Sequence, residues 1–299
     1  MENDPLLLQD VIWKSIGLLP DLRHLRIRSS VHWKPIPEFD PLNSLESINI
    51  VSNSISRDLI LLSKIYASSS NLTSITFDNF ESMYSVKSPE THGLQQLFSS
   101  PRRNLALPLR YLSLSDVPVC LDDISSSHFT HLTSFKLPSL SYENSPADIW
   151  IAFRRSNIRL EELEVGFNAM ADSLNDYLSS FTGLKKLSLT ITGLHGGTSS
   201  NASANKFWSS GFPNHVNTIQ DFSLRADYGG QWCFGLHNHS LLEKCTKLRQ
   251  FTVSLRPEDI PTKEYDFNGI VCILLSSTCL NDPMRPFRAL FLTWWSHTC

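Results

Sequence analysis

No excess of one charge runs through this chain of 299 residues: 26 Lys and Arg stand against 29 Asp and Glu, for a net charge of −3. A protein living on phosphate contacts carries a basic excess or stripe, so the balance argues against a nucleic-acid partner. Long apolar runs are missing as well. The longest one found, Ile270–Leu275, is far too short to cross a bilayer. In the opening "MENDPLLLQDVIWKSIGLL", Glu2 and Asp4 sit where a secretory signal needs positive charge, and Asp10 and Lys14 interrupt the apolar residues. Neither a signal peptide nor a membrane partner is expected. The six cysteines contain no Cys-x-x-Cys pair and are widely scattered, which reads as buried free thiols in a reducing compartment. The expected location is cytoplasmic or nuclear.

Signatures of catalysis are absent too. No G-x-S-x-G, P-loop, G-x-G-x-x-G or H-E-x-x-H occurs. "HGG" at 195–197 lacks the serine elbow an esterase would pair with it, and reads as a loop. Cys233, His237, His239 and Cys245 are the densest set of metal-ligand types, but their spacing is not that of a zinc finger. Core cysteines and exposed histidines are the expectation. Glu161–Glu162 and Asp122–Asp123 are neighbours in sequence, and on a strand neighbours face opposite ways. The chain is expected to be no enzyme, with no cofactor and no metal.

What is present is a repeat. The template L-x-x-L-x-L, with other apolar residues allowed at its three fixed places, fits Leu22/Leu25/Ile27, Leu45/Ile48/Ile50, Leu72/Ile75/Phe77, Leu109/Leu112/Leu114 and Leu132/Phe135/Leu137. It fits again at Leu160/Leu163/Val165, Leu184/Leu187/Leu189, Ile219/Phe222/Leu224, Leu248/Phe251/Val253 and, more weakly, Phe287/Leu290/Leu292. The steps are 23, 27, 37, 23, 28, 24, 35, 29 and 39 residues. Most of them lie near the leucine-rich-repeat period of about 20–29.

Stacking explains the pattern. Ordering one repeat of about 25 residues costs roughly 25–50 kcal/mol of backbone entropy, and three buried strand side chains return only about 5–9 kcal/mol. One repeat cannot stand alone and must share its core with its neighbours. Between the strands, Leu174, Tyr177, Leu178 and Phe181 form a helical stripe, as do Leu59, Leu62, Ile65 and Tyr66, and Leu94, Leu97 and Phe98. Ser145 and Pro146 are suited to cap and open another helix.

The expected fold is therefore α/β: a leucine-rich-repeat solenoid of about ten irregular repeats. It would be a curved horseshoe with a parallel sheet on the concave face and helices on the convex face. Residues 1–20 would form a capping helix or the remnant of a preceding domain, and residues 21–299 the solenoid. Asparagine follows the strand at Asn53 and Asn168 only, so no regular asparagine ladder is expected.

"FWSSGFPNHVNTIQDFSL", "GGQWCFG" and "LLEKCTKLRQFTVSL", within residues 203–256, resemble the leucine-rich regions of F-box-type proteins of mushroom-forming fungi. "LNDYLSSFTGLKKLSLTITG" at 174–193 is similar to the same family. The resemblance implies a substrate-recognition region in a ubiquitin-ligase subunit, and a ligase adaptor as a partner if an F-box lies upstream. The F-box itself is not evident, because about twenty residues ahead of the first repeat are too few for its three helices. The alternative is an independent repeat scaffold with no ligase role.

The strand residues between the second and third apolar places run Arg26, Asn49, Thr76, Ser113, Lys136, Glu164, Ser188, Ser223, Thr252 and Phe291. His24, Arg26 and Arg28 alternate onto one face as a basic end, and Glu162 and Glu164 make an acidic middle. Tyr111 supplies an aromatic anchor. With Asn49, Lys136 and Lys186 these are the candidate partner-binding residues. A surface of both signs suits a protein target, of unknown identity, better than a small molecule, which would want a closed apolar pocket.

Overall fold

The computed structural model describes residues 5–28, 42–52, 55–79, 95–98, 108–117, 127–139, 147–166, 172–191, 198–226, 230–235, 237–254 and 289–293. Asn53, Asn168, Asp122, Asp123, Ser145, Pro146, Leu94, the run 270–275 and "HGG" at 195–197 lie outside them. The chain divides into two compact units, Met1–Ile158 and Arg159–Cys299. Both are α/β.

The first unit opens on a helix, Pro5–Gly17, whose Trp13 is buried. Five strands follow: β1 His24–Arg28, β2 Ser47–Ser52, β3 Ser74–Asn79, β4 Tyr111–Ser115 and β5 Ser134–Ser139. They pair in chain order and all in parallel. The register aligns the apolar places: Leu25, Ile48, Ile75, Leu112 and Phe135 form one row. Ile27, Ile50, Phe77 and Leu114 form the next. From Ile48 onward every member of both rows is buried to within 1%. Parallel strands need a crossover, and helices Ile55–Ser68 and Gln95–Phe98 lie on two of them. The stripe Leu59, Leu62, Ile65 and Tyr66 is fully inside.

In the second unit β6 Glu162–Val165, β7 Lys186–Ile191, β8 Asp221–Ala226, β9 Gln250–Ser254 and β10 Ala289–Thr293 likewise pair in order and in parallel. Leu163, Leu187, Phe222 and Phe251 make the first apolar row, and Val165, Leu189, Leu224 and Val253 the second. The helix Asp172–Ser179 buries Leu174, Tyr177 and Leu178, three of the four residues of its stripe, and Phe181 just beyond it is also buried.

Backbone atoms add a second register device. Before seven of the strands, the residue just ahead of the strand lends its carbonyl to two successive amides of the next strand segment. Arg23 accepts from Glu46 and Ser47 at 2.8 and 3.0 Å, Glu46 from Thr73 and Ser74, Thr73 from Arg110 and Tyr111, and Arg110 from Thr133 and Ser134. The second unit repeats this from Glu161 to Lys185 and Lys186, from Lys185 to Gln220 and Asp221, and from Gln220 to Arg249 and Gln250. Each of these carbonyls accepts two amides, and the Thr73 and Thr133 hydroxyls donate as well to the Glu46 and Arg110 carbonyls, at 3.1 and 3.2 Å.

One segment departs from the regular helical pattern. After helix Thr198–Lys206 the chain continues through a wide π turn, Phe207–Gly211, into a tight 3-10 turn, Phe212–His215. Pro213 explains the change of pitch, because it has no amide to give and its ring crowds the carbonyl four residues back. The irregularity places Phe207, Trp208 and Phe212 together in the core, with Phe212 4.9 Å from Phe222 on β8.

Gly183, between helix Asp172–Ser179 and β7, has φ of 111°, and a Cβ there would meet nothing within 4 Å. Its cost of replacement is conformational alone. Gly183→Ala should lower stability by about 1 kcal/mol, read from urea unfolding, and an unchanged midpoint would show that the turn relaxes freely.

Candidate partner-binding face

The strand residues between the apolar rows lie side by side in register, so each unit presents a polar grid. In the first unit Arg26, Asn49, Thr76, Ser113 and Lys136 form one row, and His24, Ser47, Ser74, Tyr111 and Ser134 the row before it. His24, Arg26 and Arg28 are all exposed on β1. The His24 ring is held by a hydrogen bond between Nδ1 and Ser47 Oγ, 2.7 Å. Arg23, one residue earlier, is committed elsewhere, to Glu46 at 3.4 Å. Asp78 on β3 approaches the same patch; burial raises its carboxyl above the usual range while the Arg26 charge opposes the rise.

Not every candidate stands open to solvent. Asn49 is half-buried, and its Oδ1 is enclosed with no hydrogen-bond partner among the described residues. Ser113 and Thr252, read from the strand pattern as surface positions, are buried at 5% and 4% exposure. Ser113 lies directly opposite Lys136 and two residues past Tyr111. The Lys136 ammonium sits 5.8 Å from the centre of the Tyr111 ring. The Tyr111 ring, the candidate anchor, thus already carries a cation within the range of cation–π attraction.

In the second unit the corresponding rows are Glu164, Ser188, Ser223 and Thr252, and Glu162, Lys186, Asp221 and Gln250. Glu162 and Lys186 are bonded at 2.8 Å. The Lys186 ammonium is pushed up from its ordinary range, first by its hydrogen bond to Glu162, then by the Glu162 charge, with a smaller push from Asp221. The pair Glu162 and Glu164 is thus not simply acidic: Glu162 is half of an ion pair, and the row reads minus, plus, minus across three strands. With Lys186 exposed and Glu162 half-buried at the surface, this pair contributes little to stability and shapes the charge pattern of the face. Asp221 and the exposed Arg225 were not singled out from the sequence. Asp221 could have been, since it occupies the same place in its repeat as Glu162 and Lys186.

The four residues of metal-ligand type point elsewhere. Cys233 and Cys245 are buried free thiols, and burial pushes the Cys245 thiol up to about 12. Cys245 Sγ faces the Leu241 carbonyl, His237 Nε2 donates to the Gln231 carbonyl at 3.0 Å, and His239 faces Glu243 at 3.9 Å. Among the described residues no group of three or more His, Cys, Asp or Glu is placed to hold a metal ion. Among them, too, no helix is long and apolar enough to cross a membrane.

No family model matches the chain, and no curated protein matches it.

Proposed function

We propose that the chain is a noncatalytic protein-binding module. In this reading it is a leucine-rich-repeat solenoid, curved with its strands on the concave face and its helices on the convex face. Its strand face selects the target of an F-box-type ubiquitin ligase. One observation carries the binding reading: in each unit one strand face is closed into an apolar core, while the other is a grid of mostly small polar residues with charges of both signs. A binding grid of this kind recognises by pattern, since charge order across strands rejects wrong partners more than it adds affinity. The ligase assignment rests on the likeness of residues 174–256 to the F-box-type family.

Exchanging Glu162 and Glu164 for lysine would turn minus, plus, minus into plus, plus, minus and set Lys186 against a like charge. Loss of partner capture, with unchanged circular dichroism, is the expected result. The ligase link is tested by affinity capture from cells of the source organism, with this chain and the full gene product in parallel. Recovery of a ligase adaptor with the full product supports a substrate receptor. Recovery of targets with no adaptor from either form would leave an independent scaffold.

A further inference from the structure

The cations of β1 differ from most other charges of the grid; the exposed Arg225 of β8 is likewise without a hydrogen bond or ion pair among the described residues, but it is the one cation on its strand. Arg23 has Glu46, Lys186 has Glu162, and Lys136 lies over Tyr111. Arg26 and Arg28 are exposed and make no hydrogen bond or ion pair among the described residues, although Asp78 is near enough for the Arg26 charge to oppose the rise of its carboxyl. His24, Arg26 and Arg28 alternate along one strand, so their stems leave the sheet at steps of about 6.6 Å. Alternate side chains of any extended peptide are spaced by the same step.

We propose that the β1 face docks an extended segment of a protein partner that bears carboxylates at alternate positions, one opposite each of His24, Arg26 and Arg28. This rests on the protein-binding reading above and names the chemistry of its partner. Cations strung out singly suit single negative charges. A phosphate, with its doubled charge, is held by guanidiniums that converge on it. A nucleic-acid strand would require the basic stripe to continue, whereas the next charges inward are Glu46, committed to Arg23, and Asp78.

The test uses the full chain and fluorescence anisotropy. Three labelled peptides are compared: glutamate alternating with serine, the same composition with its glutamates in one block, and lysine alternating with serine; an oligothymidine is the fourth probe. The alternating acidic peptide should bind most tightly, and binding should weaken as salt rises. Arg26→Glu with Arg28→Glu should weaken it by on the order of tenfold, since each exposed pair is worth a few-fold and reversal counts twice. Arg26→Gln with Arg28→Gln gives a smaller loss and guards against a folding defect. Arg154→Glu with Arg155→Glu, exposed at the end of helix Ala147–Arg155, makes the same change in net charge and should leave binding intact. Equal loss from that control, equal binding of the block peptide, tighter binding of oligothymidine, or no acidic-peptide binding would each overturn the inference. A random peptide library panned on the same chain separates this inference from the broader reading. Enriched peptides without alternating acids, held equally by the Arg26/Arg28 variant, would overturn the acidic segment alone. No enrichment at all would count against both.

Discussion

Phe222→Ala should cost about 3–5 kcal/mol, the largest single effect expected in the second unit. Phe222 is 1% exposed and stands on β8 in the first apolar row. Its ring lies 4.9 Å from Phe212, 6.1 Å from Trp208 and 6.1 Å from Phe251. It therefore joins the irregular 207–215 segment to two strands at once, and a cavity there has walls on different elements that cannot all close in. Natural stabilities of about 5–15 kcal/mol make this a large share of the whole. Urea unfolding measures it, with Phe222→Leu expected to cost less than about half as much. A loss under about 1 kcal/mol would mean that the aromatic cluster around β8 repacks easily.

Acid should act through His215. The side chain is wholly buried, its Nε2 donates to the Leu178 carbonyl at 3.1 Å, and its Nδ1 is enclosed without a partner among the described residues. A proton added at Nδ1 would create a buried cation, so burial lowers the imidazole to about 4, against the weaker raising effect of the Leu178 carbonyl. In the unfolded chain a histidine titrates near 6.5. Between those two values the unfolded state binds a proton that the folded state refuses, so stability falls as pH drops through this window and levels off below it. The loss amounts to about 3 kcal/mol. His128 adds in the same direction, since burial lowers it too. Denaturant midpoints measured from pH 7 down to about 4 should show the slope, and His215→Gln, which keeps a donor for Leu178 but cannot titrate, should flatten it. An unchanged slope in that variant would assign the acid sensitivity to His128 and the carboxylates instead.

Much of the strand framework was legible because L-x-x-L-x-L fixes both where a strand lies and which of its residues face the core. All ten strands lie where the second and third places of the template put them. The helices Ile55–Ser68 and Asp172–Ser179 were legible from stripes at three- and four-residue spacing. The 207–215 segment was not, since "FWSSGFPNH" follows neither period and Pro213 breaks the pitch. Buried polar residues were hidden for a different reason. Asp58 is buried, and the Ser52 hydroxyl donates to it there. His128 is buried beside Tyr66, hydrogen-bonded to its hydroxyl at 2.5 Å and stacked on Phe98. Asn175 is buried where its amide meets the Ser203 carbonyl from a later helix. Each partner is supplied by a different element, which single-strand or single-helix periodicity does not see. The grid shows the same divide. Alternation on β1 was enough to find His24, Arg26 and Arg28, but the pairing of Glu162 with Lys186 needed two strands in register.

The shared carbonyls before the strands have a consequence for how such a chain can change over generations. Each joins one strand segment to the next through a pair of main-chain amides, with a threonine hydroxyl added only at Glu46 and Arg110, so the amide linkage itself is indifferent to which side chains the strands carry. A stretch cut from one of these carbonyls to the next, such as Glu46 to Thr73 or Lys185 to Gln220, leaves a donor pair facing an acceptor of the same kind. Gene segments of that length can be lost, duplicated or exchanged with the backbone joints still matched. Recombination would then rewrite the order of charges on the grid while the joints that align it stay the same.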